Sequence, residues 1–222
     1  MAADLTGTLA AFGARLRGGR ALHPRGRLLA GTLEVTGAGG LGVPVLDEPA
    51  RYEVIARLSK GGSLPGRLPD VLGLAVRLPG PIDLLLSTCG AAPWLLRPRA
   101  GFTAGPYSSL VPYASDTGPV WLVAVPEREA VPADPALLPE ALGRGPLLFR
   151  LLAARRRERA SPLATLRLRA ALPPDADLSF DPVRHGHRSL RLEGTLARLR
   201  RDAYRGSRTG RGAGLDGPGA PP

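Results

Sequence analysis

The sequence predicts an α+β fold, an antiparallel β-barrel with a few flanking helices. Three observations carry this. Short runs rich in Leu, Val and Ala alternate with polar residues, the period of strands. Gly (29) and Pro (24) together make about a quarter of the 222 residues and punctuate those runs. Few segments show helical periodicity.

In chain order, residues 4–17 read as an amphipathic helix with Leu5, Leu9, Phe12 and Leu16 near one face, stopped by Gly18 and Gly19. Residues 27–36 read as a strand, 37–50 as a loop, 51–59 as a strand and 60–70 as a long turn. Two more strands, 71–79 and 82–88, flank the turn at Pro79-Gly80-Pro81. Residues 93–113 start as a strand and become irregular, and 119–126 form a strand. A short helix over 134–145 is capped by Asp134 and closed by Gly143. Residues 146–160 and 161–172 have helical composition, but each follows or contains an early proline and "ATLRLRAAL" alternates, so a strand pair is expected. Residues 192–212 read as a last helix with Leu196, Leu199 and Ala203 on one stripe, ended by Gly206 and Gly210. The organisation expected is therefore an N-terminal helix in 1–19, a barrel with its C-terminal helix in 20–212, and a disordered tail in 213–222.

The formal net charge is +11, which invites a nucleic-acid reading. Lys60 is the only lysine among 30 basic residues, so 29 are arginines, and the chain has no Asn or Gln. Such bias reads as codon-pool composition, and no nucleic-acid-binding module accompanies it. The lone Cys89 allows no internal disulfide and no cysteine metal cage, and a reducing, cytoplasmic setting is expected. The N-terminal stretch has Asp4, Gly7, Gly13 and Arg15 within its apolar run, unlike a secretory signal. No apolar run is long enough to suggest a membrane span.

Chemistry-bearing residues are sparse. Of three histidines, His23 sits in "RALHPRG", ahead of the first predicted strand. His185 and His187 lack a third metal ligand at suitable spacing, and "DPVRHGHRS" reads as a solvated loop. "KGGSLPGR" (60–67) lacks the Gly-Lys-Ser/Thr ending of a phosphate loop. No Gly-x-Ser-x-Gly elbow is present.

The order of motifs from about 20 to 102 resembles the haem-dependent catalase-like family, in a short form of actinobacterial type. Arg20 precedes His23 by three residues, and "PRG" and "RLLAGTLEV" follow. Arg57-Leu58-Ser59 ends the next strand. Asp70, Gly73, Ala75 and Arg77 follow with the family's spacing, then Asp83-Leu84, and then Arg97 five residues before Phe102. Near the C-terminus, Arg200, Tyr204 and Arg211 match the spacing around the family's tyrosine ligand, with Arg205 where the family has proline.

The resemblance implies a catalase-like barrel and a haem cofactor with Tyr204 as the axial ligand to iron. Arg20, Arg57 and Arg211 are candidates for the haem propionates. Arg200 would favour the phenolate of Tyr204. His23 would act as general base on a peroxide or organic hydroperoxide, Ser59 would hold its other ring nitrogen, and Phe102 would stack near the haem. One departure is clear. The family's distal asparagine is missing, with Ser87 or Thr88 nearest. Weak peroxidase or hydroperoxide-transforming activity is therefore expected rather than fast dismutation. The chain is shorter than a full catalase and is expected to lack its arms and extra helical regions. A degenerate, haem-free barrel that binds a small ligand or a protein partner is the alternative. A phosphodiesterase would need paired metal-binding His/Asp clusters, which are missing.

Overall fold

The computed structural model describes residues 25–37, 40–62, 64–127, 131–156, 158–182 and 184–192. All of them belong to one unit that spans residues 23–193. The expected helix over 4–17 and all but the first residue of the one expected over 192–212 lie outside the described residues, as do Arg20, His23, Arg200, Tyr204 and Arg211.

The strands are β1 (Arg25–Val35), β2 (Ala50–Lys60), β3 (Leu72–Leu78), β4 (Ile82–Thr88), β5 (Tyr107–Ser108), β6 (Tyr113–Ser115), β7 (Gly118–Pro126), β8 (Leu147–Ala154), β9 (Ser161–Ala171) and β10 (Arg191–Leu192). All pairings are antiparallel. β7, β5, β4, β3, β2, β1, β9 and β8 follow one another, and β8 pairs back to β7, closing an eight-stranded barrel. β6 and β10 extend β7 as a side ribbon.

The predicted strand pair at 146–172 is present, and the reason is the period of two. Leu147, Phe149, Leu151 and Ala153 are buried while their neighbours are less so. A helix would have turned half of these side chains to solvent. Where β1 meets β9 the register shifts between Ala30 and Gly31. A Cβ on Gly31 would lie 2.3 Å from the Arg167 carbonyl oxygen, so only glycine permits this approach.

Some expectations are corrected. The loop over 37–50 contains one helical turn, α1 (Pro44–Asp47). The Asp47 carboxylate accepts from the N–H groups of Leu41 and Val43 at 2.8 and 2.9 Å, which tightens the loop into that turn. Residues 93–106 form no strand. Pro93 and Pro98 lack an N–H for a ladder, and the segment folds back on the end of β4 through the Cys89–Leu96 and Asp70–Arg99 bridges.

The helix expected over 134–145 is a 3₁₀ turn (Pro135–Leu137) leading into α2 (Leu138–Gly143). Asp134 does cap it, accepting from the Ala136 N–H at 3.1 Å. The chain turns away through Gly145, at φ 131°, rather than at Gly143. Leu192, expected in the last helix, pairs with Tyr113 in β10.

The barrel interior is apolar. Leu29, Leu33, Leu58, Leu74, Val76 and Phe149 are nearly inaccessible and belong to one core cluster. Among the described residues no helix is long and apolar enough to cross a membrane.

Candidate functional site

Side chains alternate between the barrel interior and its outer wall, and residues directly opposite in adjacent strands share a face. The registers of β1–β4 therefore define rows across the outer wall. The first row is Gly26, Ser59, Gly73 and Ser87. The second is Leu28, Arg57, Ala75 and Leu85. The third is Ala30, Ile55, Arg77 and Asp83. The first row carries no side chain larger than a hydroxymethyl, so it is a flat strip four strands wide.

Arg57 and Ser59, both predicted from the sequence, are brought together on this wall. Arg57 lies across the start of β1, because a Cβ on Gly26 would sit 2.7 Å from its guanidinium carbon. Gly26 is thus what lets the arginine lie flat. Burial pushes the Arg57 pKa below its usual value, and the charge of Asp177 opposes that shift. The guanidinium is half-buried, so an anion placed beside it meets less solvent screening than at an open surface.

Ser59 is 4% exposed, and its hydroxyl donates to the Gly73 carbonyl at 3.5 Å, a long bond. Phe102 is fully buried in the core cluster, and its carbonyl accepts from the Tyr107 hydroxyl at 2.7 Å. Arg97 is exposed, and its N–H donates to the Thr88 carbonyl at 3.0 Å.

The sequence left Ser87 and Thr88 as equal candidates for the missing amide, and the register separates them. Ser87 is on the outer wall, opposite Gly73, with Ser59 one strand further on. Thr88 faces the other way, and its hydroxyl oxygen accepts from the Leu72 N–H at 3.0 Å. Knowledge of the β3–β4 register was needed for this, since a shift of one residue would exchange the two.

The segment around His185 is not the solvated loop its composition suggests. Asp83 is 2% exposed. Its carboxylate accepts from Arg77 Nε at 2.7 Å and Nη2 at 2.6 Å, and from the Asp181 N–H at 2.7 Å. His185 Nδ1 lies 3.0 Å from the same carboxylate and 2.7 Å from Arg77 Nη2. Arg77 also donates to the Ser179 carbonyl at 2.8 Å and lies over the Phe180 ring. A buried carboxylate with this many donors is a clasp that holds residues 179–185 against the third row. Spacing could not reveal it, because the partners are about a hundred residues apart in the chain. Among the described residues no cluster of His, Cys, Asp or Glu is suited to a metal ion.

Lys60, in the segment that superficially resembles a phosphate loop, is 1% exposed. Its Nζ donates to the Gly66 and Leu68 carbonyls at 2.8 and 2.9 Å, so it organises the turn and does not face a ligand.

A solved bacterial catalase structure has the same fold, with a TM-score of 0.60 and 12% sequence identity over 94% of this chain. The chain spans 60% of the length of that catalase. No family model matches the sequence, and no curated protein matches it.

Proposed function

We propose that the outer wall of β1–β4 is a haem-binding face and that the protein is a small catalase-like haem protein with weak peroxidase or hydroperoxide-transforming activity. The observation that carries this reading is the flat first row with the Arg57 guanidinium lying over Gly26. A planar macrocycle needs a floor free of side chains, and its propionates need a cation. The row and Arg57 fit both requirements. The structural likeness to a bacterial catalase supports the same assignment.

A bound haem would supply the redox chemistry of O–O cleavage, and Tyr204 would be the residue that holds its iron. The chain's own residues do the rest. Arg57 would fork onto a propionate, with Arg20 and Arg211 as further candidates and Arg200 beside Tyr204. His23 would take a proton from one peroxide oxygen and return it to the other. Ser59 would orient the imidazole. Ser87 offers one hydroxyl where an amide would offer two donors, so the peroxide is held by fewer bonds and turnover is slow.

The second reading, a haem-free barrel that binds a small ligand or a partner, is favoured by the burial of this wall. Leu28 is only 7% exposed, and Ser59 and Ser87 are 4% exposed. Titration of the full chain with hemin separates the two. The haem reading expects a Soret band that shifts or is lost in Tyr204→Phe and weakens in Arg57→Ala. Peroxide assays on His23→Ala would follow. No Soret band after hemin addition leaves the haem-free barrel.

A further inference from the structure

We infer that the loop between β2 and β3, residues 61–69, is a preformed tip that docks the protein on an anionic lipid surface, with Leu64 and Leu68 entering the headgroup layer and Arg67 meeting lipid phosphate. The inference goes beyond the reading of the outer wall and does not depend on it.

The loop reads "GGSLPGRLP". Leu64 is 44% and Leu68 52% exposed, and every residue from Leu64 to Pro69 is exposed. Among the described residues, two of the four large exposed apolar side chains therefore come from this one loop. The other two stand apart. Ile55 is in the third row of the outer wall, and Trp94 leans on Trp121 with ring centroids 5.7 Å apart.

The loop is shaped from its base. Lys60, buried, donates from Nζ to the Gly66 and Leu68 carbonyls at 2.8 and 2.9 Å. Asp70, also buried, accepts from the N–H groups of Gly62 and Leu64 at 2.8 and 3.2 Å. The backbones of Asp70 and Arg99 exchange two hydrogen bonds, at 3.1 and 2.9 Å, which tie the base to the next segment. A buried cation and a buried anion thus fix a loop whose two leucines stay in water. The loop contributes only backbone groups to these bonds, so its shape does not depend on the leucine side chains. A loop ordered in advance avoids the entropy loss that a flexible one meets on binding.

Charge and size identify the partner. Residues 61–69 and 96–101 contain no acid, and Arg67 and Arg97 are exposed. Asp70 is already bonded to the loop backbone. Asp134, on the segment bridged to Gly101, caps its own turn through the Ala136 N–H. A cationic, apolar tip complements the negative potential of anionic lipid. Six consecutive exposed residues are far fewer than the roughly 20–30 per side of a stable protein interface. Apolar insertion joined to attraction for anionic headgroups is, by contrast, how peripheral proteins hold a bilayer surface.

The test is co-sedimentation of the full chain with vesicles of equal parts phosphatidylglycerol and phosphatidylcholine, at about 0.1 M and about 0.5 M salt. The parent is compared with Leu64→Ser/Leu68→Ser, which keeps the charge, and with Arg67→Ala. Circular dichroism checks that each variant is folded. The double variant is expected to bind at least about tenfold more weakly at both salt concentrations. Arg67→Ala is expected to bind about fivefold more weakly at the lower one. Equal binding by the parent and the double variant overturns the inference, because net charge alone then accounts for adhesion. Absence of vesicle binding by the parent overturns it too. If sedimentation velocity shows a self-associating parent and a monomeric double variant that bind vesicles equally, the loop is a contact between copies of this chain and the lipid inference falls.

Discussion

The two faces of β1–β4 are built from the same strands and obey different rules. The inner face, with Leu29, Ala56, Val76 and Leu84 in one row, is mostly apolar and almost inaccessible. Burying such side chains is favourable wherever they sit, and a polar group on that face, such as the Thr88 hydroxyl, is bonded to the backbone. The outer face changes character every second residue. It passes from a strip of glycine and serine, through Arg57, to the buried ion cluster at Asp83. The difference teaches that the inner face is held by burial, which any well-packed apolar side chain supplies, whereas the outer face is held by particular partners at particular positions.

Substitutions can break or sharpen that contrast. The largest effect is expected on the outer face, at the clasp. Asp83→Ala would leave Arg77 and the Asp181 N–H without their acceptor, and equilibrium unfolding in urea should show a loss on the order of 4 kcal/mol. A loss below that of an interior leucine would mean that water replaces the carboxylate and that the clasp is not closed. On the inner face, Leu58→Ala should lower stability by about 3 kcal/mol by opening a cavity in the barrel.

A further effect appears only in alkali. Burial raises the Tyr107 pKa above its ordinary value, against the weaker opposing charge of Arg99. The unfolded chain ionises this phenol from about pH 10, whereas the folded chain keeps it neutral. Stability is therefore intact below that pH and is lost as pH rises through it. Tyr107→Phe should flatten this slope in pH-dependent denaturation curves, and an unaltered slope would show that Tyr107 is not its source. The smallest effect belongs to an exposed pair. Arg169 meets Glu53 at 2.8 Å, with both side chains open to solvent, and Arg169→Ala should change stability by less than about 1 kcal/mol.

Most strands were legible because the alternation of apolar and polar residues is a local signal. β1–β4 and β7–β9 are found close to where the sequence puts them. The irregular segment was harder, because its apolar start is bracketed by Pro93 and Pro98, and its amides bond back to the end of β4 through single bridges rather than a ladder. Arg57 and Ser59 were legible as a motif. That they share a wall with Gly26, Gly73 and Ser87 was not, because the row exists only once four strands are set in register. The Arg77–Asp83–His185 cluster was misread for the same reason, its partners being remote in sequence and ordinary in composition.

By itself the sequence determined the class of fold, the strand positions and the apolar filling of the barrel, since these follow from composition and period along the chain. Only the tertiary structure decided which serine stands on the outer wall and what His185 touches. Those depend on register and on contacts between distant segments, and a one-residue slip would have reversed every face.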